Sequence, residues 1–193
     1  MEIEKIIKNI EANYMALTNE CRKDLQNASK MLSLERDTVV VREGQFANKV
    51  FFIAKGSARS YYLKDGRDIT DWFAFENDFI CSVNSFFLNT PSSLFIEVLE
   101  PSVLLEISRE NVNLLSDKYI EFDRILKLIV TNTMLSLQER IVSIQFENAQ
   151  QKYENLLKNK PNITQRVNLT HIASFLGITL ETLSRIRNPK NRI

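Results

Sequence analysis

The spacing of apolar residues changes twice along the chain. Over residues 2–34 it follows a helix: Ile3, Ile6, Ile7 and Ile10, then Leu25, Ala28 and Leu32, fall three or four residues apart. From about Asp37 to Ser108, short runs rich in β-branched and aromatic residues replace it, at 38–41, 50–53, 58–63, 69–75, 95–99 and 103–107. Turn chemistry separates them in Arg42-Glu43-Gly44, Ala54-Lys55-Gly56 and Lys64-Asp65-Gly66. Many short strands at this spacing predict an antiparallel barrel or sandwich rather than a parallel sheet.

From Ser108 the helical period returns and runs almost unbroken to Leu157, with Ser108-Arg109-Glu110 as a cap for a short first helix. Phe122, Ile125, Ile129, Thr133, Ser136 and Arg140 form one stripe, and Leu126, Leu128, Leu135, Leu137, Ile141 and Ile144 widen the apolar surface beyond it. A helix apolar on more than one side needs two partners, here the barrel and a second copy of the chain, so the stripe is the expected dimerisation surface. Lys158-Asn159-Lys160-Pro161-Asn162 reads as the end of the helix and a linker.

The segment Leu169–Arg187 predicts two helices about a tight turn. Thr170 is read as the cap of the first, Ala173 is small where a second helix would cross, and Gly177 suits the left-handed residue that ends it. Thr179 caps the next helix, while Ile172, Leu176, Ile178, Leu183 and Ile186 face inward. The outer face then carries Leu180, Glu181, Ser184 and Arg185, with Asn188 beyond, placed to enter a DNA major groove. Glu181 can accept from a cytosine amino group, and Arg185 can pair bidentately with guanine. Thr170, His171 and Thr182 lie where phosphate contacts would position the helix, and Thr179 completes the expected DNA-binding set.

Charge agrees with this division. The chain has net charge +1, but residues 161–193 hold Arg166, Arg185, Arg187, Lys190 and Arg192 against Glu181 alone, and the rest of the chain is mildly acidic. Apolar residues make up 44% and charged residues 25%, enough to bury a core without disulfide or metal. Cys21 and Cys81 stand in no ligand spacing and read as reduced thiols. No membrane span or signal peptide is visible, so a cytoplasmic protein without membrane partner is expected. His171 is the one histidine, and it lies outside the barrel, so no Ser/His/Asp or Cys/His set can be assembled and no metal site is expected. Asp65 and Asp68 beside Gly66 read as solvated hairpin residues, and an enzyme is not expected.

Barrel, long helix and helix-turn-helix in this order resemble the Crp/Fnr family of bacterial transcription regulators. Val41-Arg42-Glu43-Gly44-Gln45 and Val50–Gly56 look like the family's first glycine turns, Asp78-Phe79-Ile80 and Val103–Ser108 like the edges of its ligand cassette, and Glu181-Thr182-Leu183-Ser184-Arg185 like the E-T-x-S-R run of the Fnr-like branch. The resemblance implies an α+β fold: a double-stranded β-helix (jelly-roll-like) barrel, a dimerisation helix and a winged-helix-like C-terminal domain. It places the sensor barrel at 1–115, the dimerisation helix at 116–144 and the DNA-binding domain at 145–193. It also implies a homodimer on a palindromic operator, with RNA polymerase as a further partner and a TTGA-like half-site. The short tail puts any wing strands around Ile163–Leu169.

The sensing half departs from the family. Cyclic-nucleotide-binding members have Gly-Glu where Cys81-Ser82 stand, next to Val83, and an Arg-Ser or Arg-Thr pair where Ser92-Ser93 stand. The span Phe79–Ile96 has no basic residue to pair with a cyclic phosphate. Weak or no cyclic AMP binding is expected, any effector being an unidentified small molecule in an apolar cavity. Two cysteines exclude a four-cysteine iron–sulfur sensor, and haem would have only Cys81 or Met134 as ligands, so no cofactor is expected. The competing reading is a ligand-sensing module that acts through protein contacts rather than DNA.

Overall fold

The computed structural model describes residues 2–188, and Lys190 and Arg192 of the basic tail lie outside them. The chain divides into two compact units: Met1–Ser60 with Phe73–Asn132, and Tyr61–Trp72 with Thr133–Ile193.

In the first unit, α1 (Ile3–Asn13) buries Ile6, Ile7 and Ile10, and α2 (Asn19–Ala28) starts at Thr18, whose hydroxyl accepts from the Cys21 amide at 3.3 Å. The expected helix through residue 34 stops here. Ser29–Leu34 is a strand, β1, so Leu32 stands on a sheet rather than on a helical stripe. Met31, Leu32 and Leu34 extend the spacing of Leu25 and Ala28, but pairing with a distant strand overrides that local signal.

The remaining strands are β2 (Val39–Val41), β3 (Lys49–Lys55), β4 (Ala58–Lys64), β5 (Arg67–Ala74), β6 (Phe79–Ile80), β7 (Phe95–Val98) and β8 (Ser102–Ser108). They form two four-stranded sheets, ordered β1-β8-β3-β6 and β2-β7-β4-β5. β8 pairs antiparallel with both β1 and β3, from Ser29↔Ile107 to Leu34↔Ser102 and from Lys49↔Ser108 onward. A short helix that the sequence reading did not include, α3 (Val83–Leu88), follows β6. Phe52, Leu105, Ile6, Ile7 and Leu25 are fully buried together with Phe122 and Ile125 at the start of α5 (Ile120–Phe146). Between barrel and α5 lies α4 (Arg109–Lys118), capped as expected by Ser108, which accepts from the Asn111 amide at 3.2 Å.

Gly56 marks a point where the fold tolerates no side chain. Its φ is +93°, and a Cβ there would overlap the Ser102 side chain and lie 2.9 Å from the Ser102 Cα. Asp65 and Gly66, both at positive φ (51° and 71°), make the two-residue turn between β4 and β5.

The second unit holds the later half of α5, then α6 (Ala149–Asn159), α7 (Ile163–Arg166), α8 (Leu169–Leu176) and α9 (Leu180–Arg187), together with the β4–β5 hairpin tip. The helical run does not continue unbroken to Leu157. It stops at Phe146 and restarts behind Asn148, whose side chain accepts from the Gln151 amide while the Gln151 side chain accepts from the Asn148 amide, both at 3.0 Å. This reciprocal cap satisfies amides that a continuous helix would have bonded internally. Nor do Ile163–Leu169 form the expected wing strands: Ile163 and Val167, buried four residues apart, fold the segment into the single turn of α7. Among the described residues no helix is long and apolar enough to cross a membrane.

A charge pair is buried inside the first unit. Arg59 on β4 is 3% exposed, and its Nε donates to Glu97 on the neighbouring strand β7 at 2.7 Å. Removing one partner of such a pair leaves the other charged and desolvated, whereas replacing both with apolar groups is far less costly. Glu97→Leu is therefore expected to lower unfolding stability by about 3 kcal/mol, and Arg59→Met with Glu97→Leu to recover most of that loss. Urea denaturation of the three proteins measures it; equal stabilities for the single and double variants would contradict the pairing.

Candidate nucleic-acid interface

The α8–α9 pair is built by local chemistry. The cap of α8 is Asn168, not Thr170: the Asn168 carboxamide accepts from the Thr170 amide at 3.1 Å, which places Thr170 inside the first turn. Asparagine with extended backbone is as good a cap as threonine, and it stands two residues earlier. The other end follows the sequence. Gly177 takes the left-handed conformation (φ 67°), and the Ile178 amide donates back to the Ala173 carbonyl at 3.0 Å, closing the helix. Thr179 then caps α9, its hydroxyl accepting from the Thr182 amide at 3.2 Å.

Packing sorts the remaining side chains. Ile172, Ala173, Leu176 and Leu183 are buried, with Tyr153 of α6, Ile163 and Val167. Ile178 and Ile186 are half-buried. Thr170, Thr179, Leu180, Glu181, Ser184 and Arg185 are exposed, and His171 and Thr182 half-exposed. The outer face of α9 is thus one turn-spaced set of Leu180, Glu181, Ser184 and Arg185. Glu181 sits in the first turn, where its own amide and the Thr179 hydroxyl hold its carboxyl below the usual range.

In the barrel, the expected cassette residues come together in part. Ser82 and Ser92 are buried with their oxygens 2.9 Å apart, while Val83 and Ser93 point to solvent. Ser92 Oγ is also 2.8 Å from the Leu94 carbonyl, which can only accept, so Ser92 donates there and Ser82 donates to Ser92. Cys81 is half-buried, and burial pushes its thiol up to about 12, keeping it neutral. Elsewhere in the barrel Arg59, on a strand distant in sequence, is a buried cation paired with Glu97. Among the described residues, no three His, Cys, Asp or Glu gather as a metal set.

On α5, Phe122 and Ile125 are buried in the core of their own unit, with Ile129 packed against them. Arg140 lies 3.9 Å from the centre of the Phe175 ring, where burial pulls its guanidinium below the usual arginine range and the charge of Asp71 partly offsets this. Thr133 is exposed and Ser136 half-buried. The large apolar side chains left in solvent are others, among them Val130, Met134, Leu137, Ile141 and Ile144.

Comparison with known proteins bears on both units. Residues 31–119 match the cyclic nucleotide-binding domain family. None of the curated proteins matches the chain by sequence. Among solved structures, FixK2 from Bradyrhizobium japonicum superposes with a TM-score of 0.73 at 18% identity, covering 83% of each chain. The c-di-GMP responsive global regulator CLP of Xanthomonas campestris gives 0.70 at 17%, over 90% of this chain and 91% of that one. A protein from Eubacterium rectale described as a regulator of the Crp/Fnr family gives 0.68 at 17%, over 88% and 82%. Residues 31–119 are thus similar to the cyclic nucleotide-binding domain family, and the chain shares the fold of these solved structures.

Proposed function

We propose that the protein is a dimeric, sequence-specific DNA-binding regulator whose α8–α9 pair is a helix-turn-helix, with α9 as the recognition helix. The observation that carries this reading is the outer face of α9: Glu181, Ser184 and Arg185 exposed on one side, with Leu183 fully buried opposite. An arginine and a carboxylate one turn apart, on a helix anchored by its neighbour, supply the donors and acceptors that base edges need in a major groove. Thr170, His171, Thr179 and Thr182 flank that face as phosphate contacts.

Dimerisation is assigned to α5, on a different phase from the stripe Phe122–Arg140. Val130, Met134, Leu137, Ile141 and Ile144 follow one another at intervals of four, three, four and three residues, and each is 44% exposed or more. That spacing is the a/d seam of a coiled coil, which a second copy of the same helix would cover. A two-fold dimer presents two recognition helices to half-sites about one turn of DNA apart, hence a palindromic operator.

The barrel is proposed to have lost the usual cyclic nucleotide recognition. The Ser82 and Ser92 hydroxyls satisfy each other, and the buried Arg59 is already neutralised by Glu97. Residues 79–96 themselves hold no basic side chain to compensate a buried cyclic phosphate.

Three outcomes are expected. Purified protein retards duplex DNA selected from a random pool, and retardation weakens as salt rises; Arg185→Ala costs about 1–3 kcal/mol on the selected sequence and relaxes the preference at one base. Equal binding of all duplexes by both proteins would reject the reading. Ile141→Asp shifts the protein from dimer to monomer in sedimentation, whereas a persistent dimer would move the interface elsewhere. Titration calorimetry with cyclic AMP gives no saturable heat, and a saturable isotherm would restore the barrel as a cyclic nucleotide sensor.

A further inference from the structure

Large apolar side chains in α6 to α9 are covered by one another, with Leu180 as the exception. It is 43% exposed, and among the described residues of these four helices it is the one large apolar side chain left in solvent. Local packing does not require it there. Ile178, just before the Thr179 cap, is half-buried, and Leu183, the fourth residue of α9, is fully buried, so the apolar pair that fixes a helix entry is already complete. The cap itself is made by the Thr179 hydroxyl and the Thr182 amide. Leu180 serves neither.

Its neighbours define what it can meet. Leu180 and Ser184 stand four residues apart, as do Glu181 and Arg185, so two adjacent rows run along the outer face of α9. The row of Glu181 and Arg185 can accept from and donate to base edges, whereas the other row opens with a side chain that can do neither. Leu180 is also the first residue of α9, at the end that a recognition helix turns to the bases. In the major groove one group alone is apolar, the C5 methyl of thymine. We infer that Leu180 reads a thymine methyl, a specificity contact that rests on α9 being the recognition helix. The other three bases show only donors or acceptors at that edge. A leucine pressed against them strips water without a hydrogen bond in return, so the contact favours thymine and disfavours each alternative.

Replacing thymine by uracil, one position at a time in the duplex selected by the full chain, tests this contact. Uracil removes the methyl and leaves the pairing and the O4 acceptor in place. At one thymine of each half-site the wild-type protein should bind about fourfold more weakly, the contribution of burying one methyl-sized group. Leu180→Ala should bind the thymine duplex more weakly than the wild type does, and should bind the thymine and uracil duplexes alike. Alanine favours helix at an exposed position, and the uracil series on the wild type needs no variant at all. If no thymine in the selected sequence responds to uracil, or if Leu180→Ala keeps the response, the assignment is overturned. Failure of the DNA reading itself looks different: the wild type then enriches no duplex from the pool, and the Leu180 contact falls with it before any uracil is introduced.

Discussion

A 27-residue helix with apolar side chains around most of its circumference cannot be covered by one small barrel, and α5 solves this by facing two ways. Its inward stripe begins as core: Phe122 and Ile125 close the hydrophobic cluster formed by α1, α2 and the β3 and β8 strands. Farther along, Arg140 on the same stripe holds the Phe175 ring of α8. One continuous helix therefore contributes to the interior of both units, and the residues left over form a second, heptad-spaced surface. Barrel, helix pair and proposed dimer all depend on this division of a single element's surface.

Much of the barrel was legible because its turns need particular residues. Gly56, Asp65 and Gly66 stand at positive φ, and the strand runs between them match β3, β4 and β5 within a residue or two. The helix pair was legible for the same reason, Gly177 and Thr179 acting where the sequence placed them. What escaped was set by distant partners. Ser29–Leu34 is a strand only because β8 lies beside it, and α3 is too short to show a period. Asn168 displaced Thr170 as the cap because two good capping residues stood two positions apart. The break after Phe146 hung on Asn148 and Gln151, polar residues that a periodicity reading passes over.

The phase of the α5 surface shows the limit most clearly. Two stripes a quarter-turn apart both carry three- and four-residue spacing, and the sequence contains nothing that says which one meets the barrel. Burial separates them in part: Phe122 and Ile125 of the first stripe lie in the core, Thr133 is exposed, and Val130 and Ile141 of the second are both exposed. Arg59 escaped for a related reason, since its partner Glu97 is a neighbour only through strand order.

The Ser82–Ser92 pair has a consequence for chemical selectivity. Both hydroxyls are already bonded in a water-poor interior, and Ser92 additionally serves the Leu94 carbonyl and accepts from the Leu94 amide at 3.3 Å. A molecule that separated them without offering a donor and an acceptor in return would strand buried polar atoms, at a cost of about 1–3 kcal/mol for each. An apolar group placed between the two hydroxyls would incur that cost, and a group with one donor and one acceptor would not.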